Sequence, residues 1–192
     1  MKKTKNRTAV TIVIMSLLAI VILAFYFYWS YRTKPIAETT LENMTEAQKL
    51  IAKDMELYYP ETPREVVKLF GDMMKALYDK VSDEDMEPLA LKVRELYDEE
   101  FLAVNPEETY LANLKSDLAE WKKEDRRITT CFISNREKEQ QSELEGVKYS
   151  INYITFTIQE NLKFSETWEV MLRQNSDKQW KILGWKVVPV EK

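Results

Sequence analysis

Side chains able to do chemistry are few in this sequence, and their types exclude several reactions at once. There is no histidine and a single cysteine, Cys131. A Ser-His-Asp triad, a Cys-His pair, a Cys/His zinc site and an internal disulfide therefore cannot be assembled from the chain. Cys131 reads as a small residue on a half-buried strand. The string DEDME at 83–87 presents alternate carboxylates, which can ligate a hard cation. A calcium loop of the EF-hand kind needs glycine at its sixth position and glutamate at its twelfth, where Pro88 and Arg94 stand. The acidic run instead suits the electropositive start of a helix. Pro60 and Pro63 make a PxxP string of the type SH3 domains read, but helix entry accounts for both prolines. No catalytic residue, metal ligand or cofactor motif emerges.

The residues with the clearest physical message are FYFYWSY at 25–31, where Phe25, Tyr26, Phe27, Tyr28, Trp29 and Tyr31 close an uncharged run that begins at Thr8. As a helix, residues 8–31 would span roughly 36 Å, enough to cross a hydrocarbon core of about 30 Å with some tilt. Tyrosine and tryptophan favour the head-group layer, where the ring is partly dehydrated while its OH or NH still meets water. Lys2, Lys3, Lys5 and Arg7 precede the run and only Arg32 and Lys34 follow it closely, so the positive-inside bias keeps the amino terminus in the cytoplasm. The expected organisation is a basic cytoplasmic tail at 1–7, a transmembrane signal anchor at 8–31, a tether at 32–44 and an extracytoplasmic α+β domain at 45–192. The rival reading is a cleaved signal peptide and a secreted protein. Against it, the apolar run is too long and ends in bulky rings rather than a small-x-small cleavage site. With no cysteine near the span, a lipoprotein anchor is excluded.

The remainder must fold as one globular unit: 192 residues, three glycines, 45% apolar and 31% charged residues describe neither a disordered nor a fibrous chain. From residue 35 onward 22 basic residues face 32 acidic ones. Such a body is repelled by phosphate backbones, which removes the usual driving force for binding nucleic acid.

Two periodicities divide this body. A capping pattern at Thr45 and Gln48 predicts a short helix over about 45–57. Thr62, Pro63 and Glu65 mark the clearest helix start in the chain, followed by Val66, Phe70 and Leu77 on one face. Ser82 and Asp85 repeat the capping pattern, but Pro88 places the regular helix from near Glu87, with Leu89, Val93, Leu96 and Phe101 as its apolar stripe. Asn105, Pro106 and Glu108 start a further helix running to about Lys123. The period then shortens to two, and residues 127–134, 147–158, 164–174 and 180–188 read as four antiparallel strands. The segment NREKEQQSELEG between the first two reads as a polar loop. In the second strand the apolar parity changes from Val147, Tyr149, Ile151 and Tyr153 to Ile154, Phe156 and Ile158, which predicts a bulge near Tyr153.

Helices followed by a bent antiparallel sheet ending in DKQWKILGWKVV, with Asp177, Trp180, Lys181 and Ile182 at the signature positions, resemble the nuclear transport factor 2-like superfamily over about residues 60–188. The amino-terminal run together with YPETPREVV, LYDEEFLAVNP and WKILGW is similar to a domain-of-unknown-function family of membrane-anchored proteins from Gram-positive gut bacteria. The first resemblance implies a cone in which a curved sheet wraps around helices. By analogy of layout it further implies a non-enzymatic binding or scaffold module of the cell envelope, with an envelope protein or a second copy as partner. The alternative it allows is a small-molecule isomerase or cyclase, whose cone mouth would fall near Tyr149, Tyr153, Glu166 and Trp168. No aspartate lies within a strand, so the base those enzymes use has no counterpart.

Overall fold

The computed structural model of the protein describes residues 44–134 and 139–189. The basic tail, the anchor at 8–31 and its aromatic residues 25–29 and 31 lie outside the described residues, as does all but the end of the tether. Thr45–Lys192 forms one compact unit. Among the described residues no helix is long and apolar enough to cross a membrane.

Among the described residues five helices come first: α1 (Glu46–Ile51), α2 (Pro63–Lys80), α3 (Asp83–Arg94), α4 (Glu99–Val104) and α5 (Glu107–Lys123). They precede β1 (Arg127–Ile133), β2 (Gln140–Leu144), β3 (Val147–Gln159), β4 (Lys163–Gln174) and β5 (Trp180–Val188). All strand pairs are antiparallel; β4 lies between β3 and β5, while β1 and β2 pair with the two ends of β3. The architecture is α+β, helices then antiparallel sheet.

The capping boxes of α1 and α2 form as their sequences predict, Thr45 with Gln48 and Thr62 with Glu65. Helix α1 ends well short of residue 57, because Asp54 Oδ1 accepts from the amides of Glu56 and Leu57 and turns the chain. That turn, not a helix, brings Met55 into the core. Helix α2 carries the main apolar face: Val66, Val67, Phe70 and Met73 are 0% exposed. Gly71 marks its closest approach to the sheet, since a Cβ there would stand 2.2 Å from Ile154 Cδ1.

Three helix limits depart from the sequence expectation. Helix α3 begins at Asp83, directly after its cap Ser82, and takes Pro88 into its interior. Pro88 and Glu84, the residue whose carbonyl it leaves unbonded, are both exposed, so water can satisfy that oxygen. The stripe from Leu89 does not continue as one helix to Phe101. Leu96 accepts from the amide of Ile182 at 2.8 Å and Asp98 donates its amide to Ile182 at 2.9 Å, which draws the chain out of helical geometry and covers part of the β5 edge. Asp98 then caps the separate helix α4. Finally, α5 is entered through Pro106 without a side-chain cap, because the Asn105 amide donates to the Phe101 carbonyl instead.

The sheet holds two corrections. The polar segment between β1 and β3 includes a strand, β2, all of whose residues are exposed and which joins β3 through a two-residue turn with Glu145 at φ 52° and Gly146 at φ 80°. Two consecutive left-handed residues are the geometry that suits the right-handed twist of a hairpin. The expected bulge near Tyr153 is absent: β3 pairs with β4 without a register shift from Tyr149 opposite Arg173 to Gln159 opposite Lys163. The bulges lie in other strands, between Ile128 and Thr130 in β1 and in β5, where the β4–β5 register shifts between Met171 and Leu172. Each lets residues three apart share the helix-facing side, Ile128 with Cys131 and Ile182 with Trp185. In β3 the even-numbered side faces the helices throughout, so Ser150 and Asn152, 1% and 0% exposed, continue the row of Ile154, Phe156 and Ile158. The odd-numbered set with Tyr149 and Tyr153 is turned away from the helices.

Candidate functional site

Continuous register separates the four residues suggested as a cone mouth. Glu166 and Trp168 lie opposite Phe156 and Ile154 on the helix-facing side, and the Trp168 indole donates to the Glu166 carboxylate. Tyr149 and Tyr153 stand on the other face, opposite Arg173 and Glu169. There the Tyr153 hydroxyl donates to Glu169 Oε2 at 3.0 Å and Lys186 Nζ lies 2.8 Å from Glu169 Oε1. The bond from Lys186, with that from Tyr153, holds the Glu169 carboxyl below the usual range, while partial burial opposes the shift. The four residues do not line one mouth.

The helix-facing side is filled by aromatic rings. Trp168 of β4 and Trp185 of β5 stack with centroids 5.6 Å apart and planes 2° from parallel. Phe70 from α2 lies 5.2 Å from Trp185, and Phe156 meets Trp168 edge-on at 4.9 Å. Such pairs add about 0.5–1.5 kcal/mol each beyond the area they bury.

Beyond Trp185 the rings no longer close the space. A pocket of about 310 Å³ opens between α2, α4, α5 and β5, lined by Tyr78, Tyr97, Phe101, Tyr110, Trp185 and the carboxylate of Asp117. Tyr97 meets Phe101 edge-on at 4.9 Å, and Phe101 meets Trp185 likewise at 5.3 Å. The Tyr78 hydroxyl donates to Asp117 Oδ2 at 2.5 Å. Burial first, then this bond, pushes the Tyr78 phenol far above its ordinary range, and burial with the neighbouring Tyr110 does the same for Tyr97. These phenols are neutral donors at any physiological pH. At the rim the Arg94 guanidinium sits 5.1 Å from the Tyr110 ring centroid and donates to the Asn105 carbonyl at 2.8 Å.

Sequence reasoning missed this pocket because three of its five rings, Tyr78, Phe101 and Tyr110, come from helices, where tyrosine and phenylalanine read as core. The tyrosines at 78, 97 and 110 offered a trace, each being a ring that needs a partner for its hydroxyl wherever it is buried.

Three other groups are committed elsewhere. Asp98, 3% exposed, receives Arg173 through Nε at 3.1 Å and Nη2 at 2.5 Å, while Arg173 Nη1 reaches Glu100 at 2.7 Å. Cys131 faces Asp72 of α2, Sγ to Oδ1 3.7 Å, beside a cleft of about 280 Å³ at the β1 edge. Burial and then the Asp72 carboxylate push its thiol up to about 11, so it is a poor nucleophile at neutral pH. Asp83 and Asp85 of the DEDME string lie in the first turn of α3, and Asp85 accepts from the Ser82 hydroxyl at 2.8 Å. Among the described residues no three His, Cys, Asp or Glu side chains gather as a metal site.

The class so defined is an α+β domain with helices on one face of an antiparallel sheet, an aromatic interior and one aromatic side pocket. Over residues 1–185 the chain matches the family described as Domain of unknown function (DUF6715), and it belongs to that family. No curated protein matches the chain. Among solved structures it is similar to the crystal structure of CagV, a VirB8 homolog of T4SS from Helicobacter pylori Strain 26695, at 11% identity and a TM-score of 0.42, over 66% of this chain and 99% of that one.

Proposed function

We propose that this is a single-pass protein of a Gram-positive cell envelope, anchored by residues 8–31 with its amino terminus in the cytoplasm. The domain from Thr45 onward, of the nuclear transport factor 2-like cone type, stands outside the membrane and works by binding rather than by catalysis. The observation that supports a non-enzymatic role most directly is the filled interior. Where an isomerase of this architecture holds substrate between helices and sheet, Phe70 and the Trp168–Trp185 stack occupy the space. The opposite sheet face bears the half-buried Tyr149, Ile151 and Tyr153 beside Met171, which is 42% exposed. Apolar rows of this kind suit an envelope partner or a second copy. The test combines two measurements on intact cells. Protease added to protoplasts degrades the domain, and cross-linking with mass spectrometry recovers an envelope protein or a second copy attached through the β3–β4 face. A domain shielded from protease, or one recovered from the medium lacking residues 1–31, refutes the anchored reading; cross-links confined to other surfaces refute the binding face.

A further inference from the structure

We infer that the pocket between α2, α4, α5 and β5 binds a small organic cation of the quaternary or tertiary ammonium class, held by aromatic rings and by the Asp117 carboxylate. The chemistry of the lining selects the ligand. Five rings from the helices, the α3–α4 connection and β5 surround about 310 Å³, the small end of the range for ligand pockets. Aromatic faces attract cations through the ring quadrupole, and the attraction grows where water is excluded. The Arg94 guanidinium already lies over one of these rings, Tyr110.

Charge narrows the choice further. Among the residues lining the pocket, Asp117 is the one acidic side chain and none is lysine or arginine, while burial pushes all three phenols up and keeps them neutral. One of its oxygens accepts from Tyr78, which orients the carboxylate, and the group keeps lone pairs for a ligand. An anion would meet this negative charge, and the cation at the rim, Arg94, is already engaged by the Tyr110 ring and the Asn105 carbonyl. A divalent metal ion would find a single carboxylate and mostly carbon, far from the six to eight oxygens that calcium takes. A trialkylammonium head satisfies both parts of the lining: its methyl groups pack on the rings and its charge is balanced by Asp117.

The experiment uses the full chain in a maltoside detergent and isothermal titration with three probes of one shape: choline, its neutral tert-butyl isostere and the corresponding tert-butyl carboxylate. Choline is expected to bind at least about tenfold tighter than the neutral isostere, with the carboxylate weakest. Asp117→Asn is expected to weaken choline about tenfold while leaving the neutral isostere unchanged. Equal affinity for choline and the neutral isostere, preference for the carboxylate, or no binding of choline overturns the assignment. Should the Asp117→Asn variant fail to fold, the three-probe series on the wild-type chain still decides. The outcome does not depend on which side of a membrane the domain occupies.

Discussion

The contact between Gly71 and Ile154 can be tested quantitatively, because the geometry defines what a single added carbon would meet. A Cβ at Gly71 would lie 2.2 Å from Ile154 Cδ1 and 3.4 Å from Cys131 Sγ, whereas carbon atoms in contact settle at about 3.5–4.0 Å. Ile154 is 0% exposed, so its terminal methyl must either press on its packed neighbours or turn toward the cleft at the β1 edge, which it helps to line. Gly71→Ala should therefore meet an overpacking penalty of about 1–3 kcal/mol, offset in part by about 1 kcal/mol of improved helix propensity. The net effect is a loss of about 0–2 kcal/mol. Ile154→Val alone removes Cδ1 and should lose about 0.5–1.5 kcal/mol. Combined, the alanine methyl takes the volume that the valine vacates, so both the clash and the cavity disappear. The double variant should be close to wild type, with a coupling of about 1–3 kcal/mol. The assay is urea unfolding followed by near-ultraviolet circular dichroism from the tryptophans, with the slope compared across all four proteins to confirm that the same transition is measured. Additivity within about 0.3–0.5 kcal/mol would refute the close approach of α2 to β3.

Three further outcomes are expected. Asp98→Asn keeps the cap of α4 but removes the charge that meets Arg173, and should destabilise the domain by about 2–3 kcal/mol; a loss below about 0.5 kcal/mol in the same unfolding assay argues against a buried ion pair. Cys131, with its thiol pushed up to about 11, should react with iodoacetamide at pH 8 about a hundredfold more slowly than a peptide thiol, and equal rates would count against its burial beside Asp72. The folded thiol keeps its proton where the unfolded one, near 9, has lost it. Between about pH 9 and 10 the unfolded chain releases a thiol proton that the folded one retains, so stability falls as pH rises there; Cys131→Ala should remove that part of the slope, while the steeper fall driven by the buried phenols of Tyr78 and Tyr97 above about 10 persists. Gly146→Ala places a side chain at φ 80° with nothing within 4 Å, so backbone strain of about 1 kcal/mol should act alone. Faster amide exchange confined to β2 and the start of β3 is the expected signature, and Gly146→Asn should nearly restore protection.

The order of helices and strands was legible from the residues alone, because capping boxes and apolar periodicity are local signals. Thr62, Pro63 and Glu65 act within four residues of one another, and nothing elsewhere in the fold needs to agree with them. The absence of histidine and the single cysteine likewise limit the chemistry through composition alone. The division of apolar residues between faces was not so readable. Parity in β3 predicted a bulge in that strand, yet equally good burial came from bulges in β1 and β5, and which strand yields is settled by pairing across the sheet. For the same reason Tyr149 and Tyr153 went to the face away from the helices, leaving Ser150 and Asn152 inside.

The break between α3 and α4 was also decided by tertiary structure. Leu96 and Phe101 continue a helical stripe in sequence, but Ile182 lies 86 positions beyond Leu96 and its backbone offers hydrogen bonds that a helix cannot accept. The ring of Tyr78, Tyr97, Phe101, Tyr110 and Trp185 around Asp117 follows from that break, since it turns α4 to bring Phe101 against Trp185. Local spacing can say that a residue belongs to a helix or a strand. Only the assembled fold decides which distant rings meet, because their meeting depends on register and packing that no short stretch of chain contains.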